Sequence, residues 1–292
     1  MSFIEEIRAF REEYERQIFN LTEELRHRKL PVLTEALFQE FETCGNRIRY
    51  EKEYFGRRMF LSVYALAAVI RRKAEDIVKL EEILLDICQE ECWALPAHVN
   101  RMENPDWRNT IDLFASETAQ SLVHICTLLE DVLSESIKLQ ARQEARRRVL
   151  DPFMQAKKPY EWESLRNNWN AVCCGNVGSL GLLLLEEGEE KQQLIRRICH
   201  ALETDYLGSF GSDGVCQEGL GYWAYGVTYY MLFADGLKAC NHSVDLIHHP
   251  KMEAIAHFQE KCYFSGGKTI SFSDGDGEGR YPVGLTAMLD CY

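Results

Sequence analysis

The sequence has no long run of apolar residues. Its first thirty residues, MSFIEEIRAFREEYERQIFNLTEELRHRKL, are charged throughout and lack the apolar stretch of a secretory signal. No other window approaches the roughly 20 consecutive apolar residues that a membrane span requires. These absences predict a cytoplasmic protein that does not enter a membrane.

Basic residues are also fewer than acidic residues. Lys and Arg together number 33 against 46 Asp and Glu, which gives a formal net charge of −13. Binding nucleic acid over a broad face requires surplus cations to neutralise phosphates, so this class of partner is not expected. With only 7 prolines and 19 glycines, a collagen-like or linker-rich architecture is excluded as well.

The eleven cysteines show no metal-binding spacing. There is no CxxC pair; Cys88 and Cys92 are four residues apart, and Cys173 and Cys174 are adjacent, whereas a structural zinc site needs four grouped ligands. The run SDGDGE at 273–278 lacks the full calcium-loop pattern and indicates turns instead. We therefore expect no metal, no cofactor and reduced cysteines that serve as core residues.

Helical periodicity dominates what is present. Apolar residues recur every three or four positions along a first helix that ends before Pro31. Further helices are predicted near 57–75, 74–92, 110–150, 168–186, 189–206, 217–240 and 250–262. Short loops between antiparallel helices are typical of a bundle, a solenoid or a closed ring of hairpins, so the fold class is all-α. The first stripe consists of Phe3, Ile7, Phe10, Tyr14, Ile18, Leu21 and Leu25.

The last thirty residues have a different pattern. The segment YFSGGKTISFSDGDGEGRYPVGLTAMLDCY alternates aromatic and β-branched residues with Gly and Asp turns, which predicts extended strands and hairpins. We therefore expect a helical domain over 1–262, followed at 263–292 by a short β-type tail that starts a truncated domain or links to one.

Three amides surround an indole at the start of the helix near 168. Asn167, Asn168 and Asn170 flank Trp169. One Asn is explained as a helix cap, but a cap does not explain three. The functional interpretation places an amide and helix-terminal N–H groups against a carboxylate.

A glycine-rich entry precedes the aromatic helix near 217–240. Tyr222, Tyr225 and Tyr229 are three and four residues apart and share one face. They form either an aromatic core stripe or, for Tyr222 and Tyr225 beside the glycines, the wall of an open cleft. In a cleft, a tyrosine can act as a general acid or base.

A third cluster lies in the loop region at 93–108. His98 and Trp107 occur there with Trp93, Arg101 and Arg108. Trp faces stack on sugar rings and Arg pairs with carboxylate or sulfate, whereas ordinary loop packing explains the same residues about equally well.

Four segments occur in an order that resembles one enzyme family. They are WALPAH at 93–98, TIDLFASETA at 110–119, NNWNAVCCGNVG at 167–178 and DGVCQEGLGYWAYGVTYY at 213–230. Together they resemble the N-terminal helical domain of the heparinase II/III-like polysaccharide lyases, over about residues 50–292. The resemblance implies an incomplete (α/α) toroid of helix hairpins followed by a β-sandwich.

The resemblance also implies a reaction. Members cleave uronic-acid polysaccharides or oligosaccharides by β-elimination: an Asn or His neutralises the C5 carboxylate, and a Tyr transfers protons. This assigns Asn168 to the carboxylate and Tyr225 or Tyr222 to catalysis. A catalytic His from the sandwich is absent, so activity is expected of the full-length protein. Many members dimerise, which allows a homodimer. The expected substrate contacts are His98, Trp107, Asn167, Trp169, Asn170, Glu218 and Trp223.

Two other functions remain open. The helical domain can serve as a carbohydrate-binding toroid without catalysis. It can also be an unsaturated glycuronyl hydrolase, for which Asp205, Asp213 and Glu218 are the carboxyl groups available. The motif pattern favours the lyase over both, and it does not identify the uronic-acid polymer.

Overall fold

The computed structural model describes residues 11–275, 277–279 and 281–292 of the chain. It is all-helical over these residues, as the sequence predicts. The chain divides into two compact units, the first ending at Val149 and the second beginning at Leu150. This division differs from the predicted boundary at 262/263, which stays a prediction. The predicted apolar positions Phe3, Ile7 and Phe10 lie outside the described residues.

Over the described residues, the first unit contains six α-helices, and two of them begin with a side-chain cap. The Thr34 hydroxyl accepts a hydrogen bond from Leu37 N, and the Asp112 carboxylate accepts one from Ala115 N, so each side chain satisfies a backbone N–H at a helix start. Gly45 ends one helix in the left-handed conformation, with φ 71°. The helices are α1 (Arg11–Arg26), α2 (Glu35–Cys44), α3 (Ile48–Arg71), α4 (Ala74–Cys88), α5 (Leu113–Leu128) and α6 (Glu135–Ala145).

A buried ion network ties α3 to the residues after α4. Arg57 Nε donates to Glu90 Oε1 at 2.6 Å, and Arg58 donates to both oxygens of the same carboxylate at 2.8 Å. The guanidinium of Arg58 also lies over the Tyr54 ring, 4.1 Å from its centroid. Glu90 is almost fully buried, so its charge depends on these two arginines for compensation.

In the second unit, the helices predicted at 168–186, 189–206 and 217–240 are confirmed to within a few residues, and Leu202–Tyr206 extends the middle one as a π-helical turn. The predicted helix near 250–262 is two short helices. The unit contains α7 (Asp151–Gln155), α8 (Asn168–Leu184), α9 (Glu189–Ala201), α10 (Leu220–Ala239), α11 (Met252–Ala256), α12 (Phe258–Cys262) and α13 (Val283–Asp290).

Helices α8 and α10 pack closely because α8 presents glycines to its neighbour. A Cβ on Gly175 would lie 2.4 Å from the carbonyl oxygen of Tyr229, and one on Gly178 would lie 2.5 Å from the Phe233 ring. Asn168 at the start of α8 contacts Glu218 just before α10. Contacts therefore advance along both helices in the same direction, so α8 and α10 are parallel.

Helix α9, which lies between α8 and α10 in the sequence, runs antiparallel to α8. Asn170 near the start of α8 donates to the carbonyl of Ala201 at the end of α9, at 3.5 Å, and Leu194 packs against Gly181 further along α8. The connection is short, as expected for an antiparallel pair. The order is thus one helix, an antiparallel return, and a second helix parallel to the first.

The last thirty residues form no named strand among those described. Two isolated antiparallel bridges pair Tyr263 with Thr269 and Lys268 with Glu278. Gly266, Gly267 and Gly277 have φ values of 77°, 74° and 79°, and such left-handed residues interrupt a ladder before it extends. The chain then forms α13 after Pro282. The predicted β-type tail is not confirmed.

Among the described residues, no helix combines the length and apolar character needed to cross a membrane.

Gly175→Ala should destabilise the protein by about 1–3 kcal/mol, because the added methyl group meets backbone atoms of α10 and the two helices must separate. Chemical denaturation measures the free energy of unfolding. Gly208→Ala is the control, since nothing lies within 4 Å of a Cβ there. Equal stability of the two variants would contradict the close helix contact.

Glu90→Gln should lower the free energy of unfolding by about 3–5 kcal/mol, because it leaves two arginines beside an uncharged, buried group. The neighbouring Glu91 is half exposed and pairs with Arg108. Glu91→Gln should therefore change stability by less than about 1 kcal/mol. Similar losses in both variants would rule out the buried network as the cause.

Candidate functional site

The two sequence motifs of the second unit meet at a pair of hydrogen bonds. Glu218 Oε2 accepts from the backbone N–H of Asn168, and Glu218 Oε1 accepts from Asn168 Nδ2, both at 2.7 Å. The carboxylate thus binds the first residue of α8 with both of its oxygens. Residues fifty positions apart in the sequence are joined at the starts of α8 and α10.

Local sequence explains why both helices begin at this point. Asn167 caps α8 by accepting from Trp169 N at 3.1 Å. Gly219 precedes α10 with φ 96°, a conformation that residues with a Cβ rarely adopt. The Glu218 carboxylate lies at the N-terminus of α8, where the helix dipole favours negative charge.

Asn168 is not exposed to solvent. The residue has 3 % relative exposure, and its Oδ1 has no hydrogen-bond partner among the described residues. Its amide hydrogen points to Glu218, so its observed role is to hold that carboxylate. A substrate carboxylate reaches this amide only if Glu218 gives up its hydrogen bond.

Tyr206 is a second buried polar group beside the pair. Within the described part of the chain its hydroxyl has no hydrogen-bond partner, and Gly226 on α10 makes room for it, since a Cβ there would lie 2.6 Å from Tyr206 Oη. Burial raises the pKa of Tyr206 well above its ordinary value, and the negative charge of Glu218 adds to the rise. Tyr206 is therefore uncharged at neutral pH, and its O–H group has no acceptor among the described residues.

A cavity of about 490 Å³ opens at the start of α10. This volume lies in the range of small-molecule sites. Tyr222 and Tyr225 both line it, together with Glu218, and both tyrosines are partly exposed. The other lining residues are Leu220, Gly221, Ala224, Tyr263, Thr269, Ile270, Asp274, Gly275, Glu278, Gly279 and Pro282.

Tyr225 is positioned by its neighbour on the same helix. Its ring packs edge-on against Tyr229 with centroids 5.5 Å apart and an interplanar angle of 80°. The backbone carbonyl of Tyr229 in turn packs against Gly175 of α8. The cavity tyrosines thus project from a helix that the glycine contact holds in place.

Two expected substrate contacts lie in the core instead. Trp223 is 0 % exposed and donates from Nε1 to the carbonyl of Ile255 at 2.9 Å. Asn170 is also 0 % exposed and donates to the carbonyl of Glu163 at 2.6 Å. Neither side chain reaches a ligand in the cavity. Asn167 and Trp169 are partly exposed beside them.

His98 and Trp107 belong to the first unit. His98 Nδ1 is 2.7 Å from Asp112 Oδ2, and its ring stacks on Phe114 at 5.9 Å. Trp107 is 6 % exposed, with the guanidinium groups of Arg101 and Arg108 4.5 and 4.3 Å from its ring centroid. These charges occupy the ring faces that a sugar would use. The expectation that His98 contacts the same substrate as Asn168 stays a prediction.

The side of the cavity that the last thirty residues form was not predicted from the sequence. Tyr263, Asp274 and Glu278 line it, although the segment that contains them was interpreted only as turns or strands. The acidic run at 273–278 was a sequence signal for this side of the cavity. A local sequence pattern, however, does not show which helix such a loop will cover. The acids Asp205 and Asp213, considered for a hydrolase, do not line this cavity.

All eleven cysteines are free thiols, and eight of them are buried. Burial raises the pKa of Cys88 to about 12 and that of Cys126 to about 11, so these thiols stay protonated at neutral pH. Among the described residues, no group of three or more His, Cys, Asp or Glu side chains is arranged to hold a metal ion.

No protein-family model matches the sequence, and comparison with curated proteins finds no match.

Glu218→Ala should destabilise the protein by about 1–3 kcal/mol, because it removes the acceptor of two buried donors of Asn168. Thermal or chemical unfolding measures the loss. Gln217→Ala, at the exposed neighbouring position, should leave stability within about 0.5 kcal/mol. A Glu218 variant as stable as the Gln217 variant would show that the helix starts do not depend on this carboxylate.

Thiol titration at pH 8 should modify only the exposed Cys44, Cys240 and Cys291 rapidly in the folded protein, because buried thiols with raised pKa values carry little thiolate. All eleven should react after unfolding without a reductant. A lower count in the unfolded protein would reveal disulfides, and rapid reaction of more than three thiols would contradict the burial.

Proposed function

We propose that the chain is the helical module of a polysaccharide lyase that cleaves uronic-acid-containing polysaccharides or oligosaccharides by β-elimination. The observation that carries the proposal is the meeting of the two motifs. Asn168 hydrogen-bonds to Glu218, and Glu218 lines one cavity with Tyr222 and Tyr225. Motifs that are far apart in the sequence thereby supply a carboxylate, an amide and two phenols to one place.

The helix order of the second unit supports the proposed toroid. In an (α/α) toroid, each hairpin contributes one helix to an inner layer, so successive inner helices run parallel. Helices α8 and α10 are parallel, and α9 is the antiparallel return between them. A simple up-and-down bundle would place antiparallel helices in contact at each step instead.

The proposed reaction needs two proton transfers. A base removes the C5 proton of the uronate, and the electron pair of the broken C–H bond forms the C4–C5 double bond. The bond from C4 to the glycosidic oxygen breaks, and that oxygen takes a proton from an acid. We assign these transfers to Tyr225 or Tyr222, the two phenols that line the cavity.

We propose two linked roles for the motif amide and carboxylate. Asn168 neutralises the C5 carboxylate of the substrate, which lowers the free energy of the developing enolate. Glu218 holds the amide before substrate binds, because both donors of Asn168 now point to it. Binding then exchanges the protein carboxylate for the substrate carboxylate at the same amide.

The absorbance of the conjugated uronate product tests the proposal. We expect absorbance to rise when the complete lyase that contains this helical module is mixed with at least one member of a panel of uronic-acid polysaccharides and oligosaccharides. Replacing the proton-transferring phenol by Phe should reduce the rate by about 10²–10⁴-fold, since general acid–base catalysis contributes about that factor. Comparing Tyr225→Phe with Tyr222→Phe identifies which residue it is.

Tyr229→Phe is the matched control, because Tyr229 is on the same helix but does not line the cavity. It should retain most of the activity. No absorbance change with any substrate, while glycan still binds, would overturn the lyase and favour the non-catalytic toroid.

A second function is favoured by the carboxylates on the cavity wall. Glu218, Asp274 and Glu278 all line it, and hydrolysis of unsaturated glycuronides uses carboxyl groups for proton transfer. The direction of the absorbance change distinguishes the two reactions. A lyase creates the chromophore from saturated substrates, whereas the hydrolase consumes it from unsaturated ones.

A further inference from the structure

A separate cavity of about 350 Å³ lies within the first unit, and we call it the first-unit cavity. Its volume is at the lower end of the range for small-molecule sites. Three continuous stretches of described chain form it: the entry to α2, the first half of α3, and the end of α4 with the residues that follow. The lining residues are Val32, Leu33, Thr34, Glu35, Phe38, Tyr50, Arg57, Asp86, Gln89, Glu90, Glu91 and Cys92.

Tyr50 is buried in the wall of this cavity, and its hydroxyl is unused. The residue is 3 % exposed, its ring packs edge-on against Phe38 with centroids 5.4 Å apart, and its hydroxyl makes no hydrogen bond to the described residues. Burial and the charge of Glu90 raise the pKa of Tyr50, so the phenol is neutral and can donate or accept. Because buried polar groups are nearly always hydrogen-bonded, an unpartnered one in a cavity wall points to a ligand that completes it.

One carboxylate of the first-unit cavity has no basic partner among the described residues. This is Asp86, on the last turn of α4. Among the described lining residues, the one basic side chain is Arg57, and it already donates to Glu90 and to the carbonyl of Pro31. Asp86 therefore gives the cavity an uncompensated negative charge. The other lining carboxylates are ion-paired, Glu35 with Arg101, Glu90 with Arg57 and Arg58, and Glu91 with Arg108.

The groups around this charge suit an organic cation. A metal ion needs several ligands at one point, and the described residues contain no such group of three or more His, Cys, Asp or Glu side chains. An alkylammonium needs one carboxylate and further acceptors for its remaining N–H groups. Gln89, three residues after Asp86, and Tyr50 supply oxygen acceptors in the same cavity, and Val32 and Leu33 supply apolar surface.

We propose that the first-unit cavity binds a small organic cation with a primary ammonium group. The ammonium pairs with the Asp86 carboxylate, and the hydroxyl of Tyr50 accepts one of its hydrogens. The alkyl part of the ligand packs on Val32 and Leu33, which removes apolar surface from water. A cavity of this size takes a short aliphatic amine and not a polymer. The site does not depend on the proposed function, because all of its residues belong to the first unit.

Titration with n-butylammonium, followed by ligand-observed NMR on the full chain, tests the proposal. The uncharged probe of the same shape is 1-butanol. We expect the amine to bind saturably at one site and at least about tenfold more tightly than the alcohol, because a charge-assisted hydrogen bond is added to the same alkyl contact. The affinity for the amine should fall several-fold between about 0.05 and 0.5 M salt, as its charge is screened.

Asp86→Asn should weaken amine binding by about tenfold or more, because an amide does not pair with the ammonium charge. Glu82→Gln is the matched control: it removes the same charge one turn earlier on α4, where Glu82 pairs with Lys79 and does not line the cavity. The control should keep the affinity within about twofold. Both positions are exposed, so both variants should fold, and their unfolding midpoints check this.

Tyr50→Phe should weaken amine binding by about threefold or more and leave the unfolding midpoint unchanged, because its hydroxyl has no described protein partner to lose. Tyr64→Phe is the control, since Tyr64 is buried on the same helix and does not line the cavity. This variant should bind the amine as the unchanged protein does.

Three results would overturn the proposal. The first is the absence of saturable amine binding, or binding of the alcohol as tight as that of the amine. The second is an equal loss of affinity in the Asp86 and Glu82 variants, which would show general attraction to an acidic surface. The third is a Tyr50 variant that binds as tightly as the Tyr64 variant. None of these results bears on the absorbance assay, so the proposed lyase is tested separately.

Discussion

The close contact between α8 and α10 is the constraint on which the candidate site depends. At Gly175 and Gly178, the second helix occupies the space that side chains would otherwise fill. This distance lets Glu218, just before α10, reach the first residue of α8 with both carboxylate oxygens. It also fixes the direction in which Tyr222 and Tyr225 leave α10. A larger residue at the contact would move the acidic and phenolic groups apart together.

In both units buried carboxylates are ion-paired, for example Glu90 in the first and Glu163 in the second. In the first, charges are paired almost completely: Glu90 with two arginines, and Arg71 with Asp76 through two hydrogen bonds. Such pairs hold helices in register, because separating them leaves an uncompensated charge. In the second unit, Asn168 Oδ1 and Tyr206 Oη lie buried with no hydrogen-bond partner among the described residues. Unpartnered buried polar atoms are destabilising, and native structures keep them mainly where function needs them.

The sequence supported some parts of the site and not others. The pairing of the motif around Asn168 with the motif around Tyr225 rested on an order of segments, and the two do lie together. Trp107, Trp223 and Asn170 had the same chemical appearance as site residues, yet all three are buried. A tryptophan or an amide has the same local sequence signature whether it faces a cleft or the core. The cavity residues Tyr263, Asp274 and Glu278 were missed because strand-like alternation gave no indication of what their segment covers.

Helix positions and helix ends followed from local chemistry. Apolar periodicity marks α9, and largely apolar runs bounded by turn residues mark α8 and α10. The Asn167 cap and Gly219 with its positive φ set where two of these helices start. These effects act over a few residues, so the sequence alone determines them. Burial of Trp223, exposure of Tyr225 and the meeting of Glu218 with Asn168 depend on helices that pack from distant parts of the chain. Only the tertiary structure decides them, because non-local packing assigns each helix face either to the core or to the cavity.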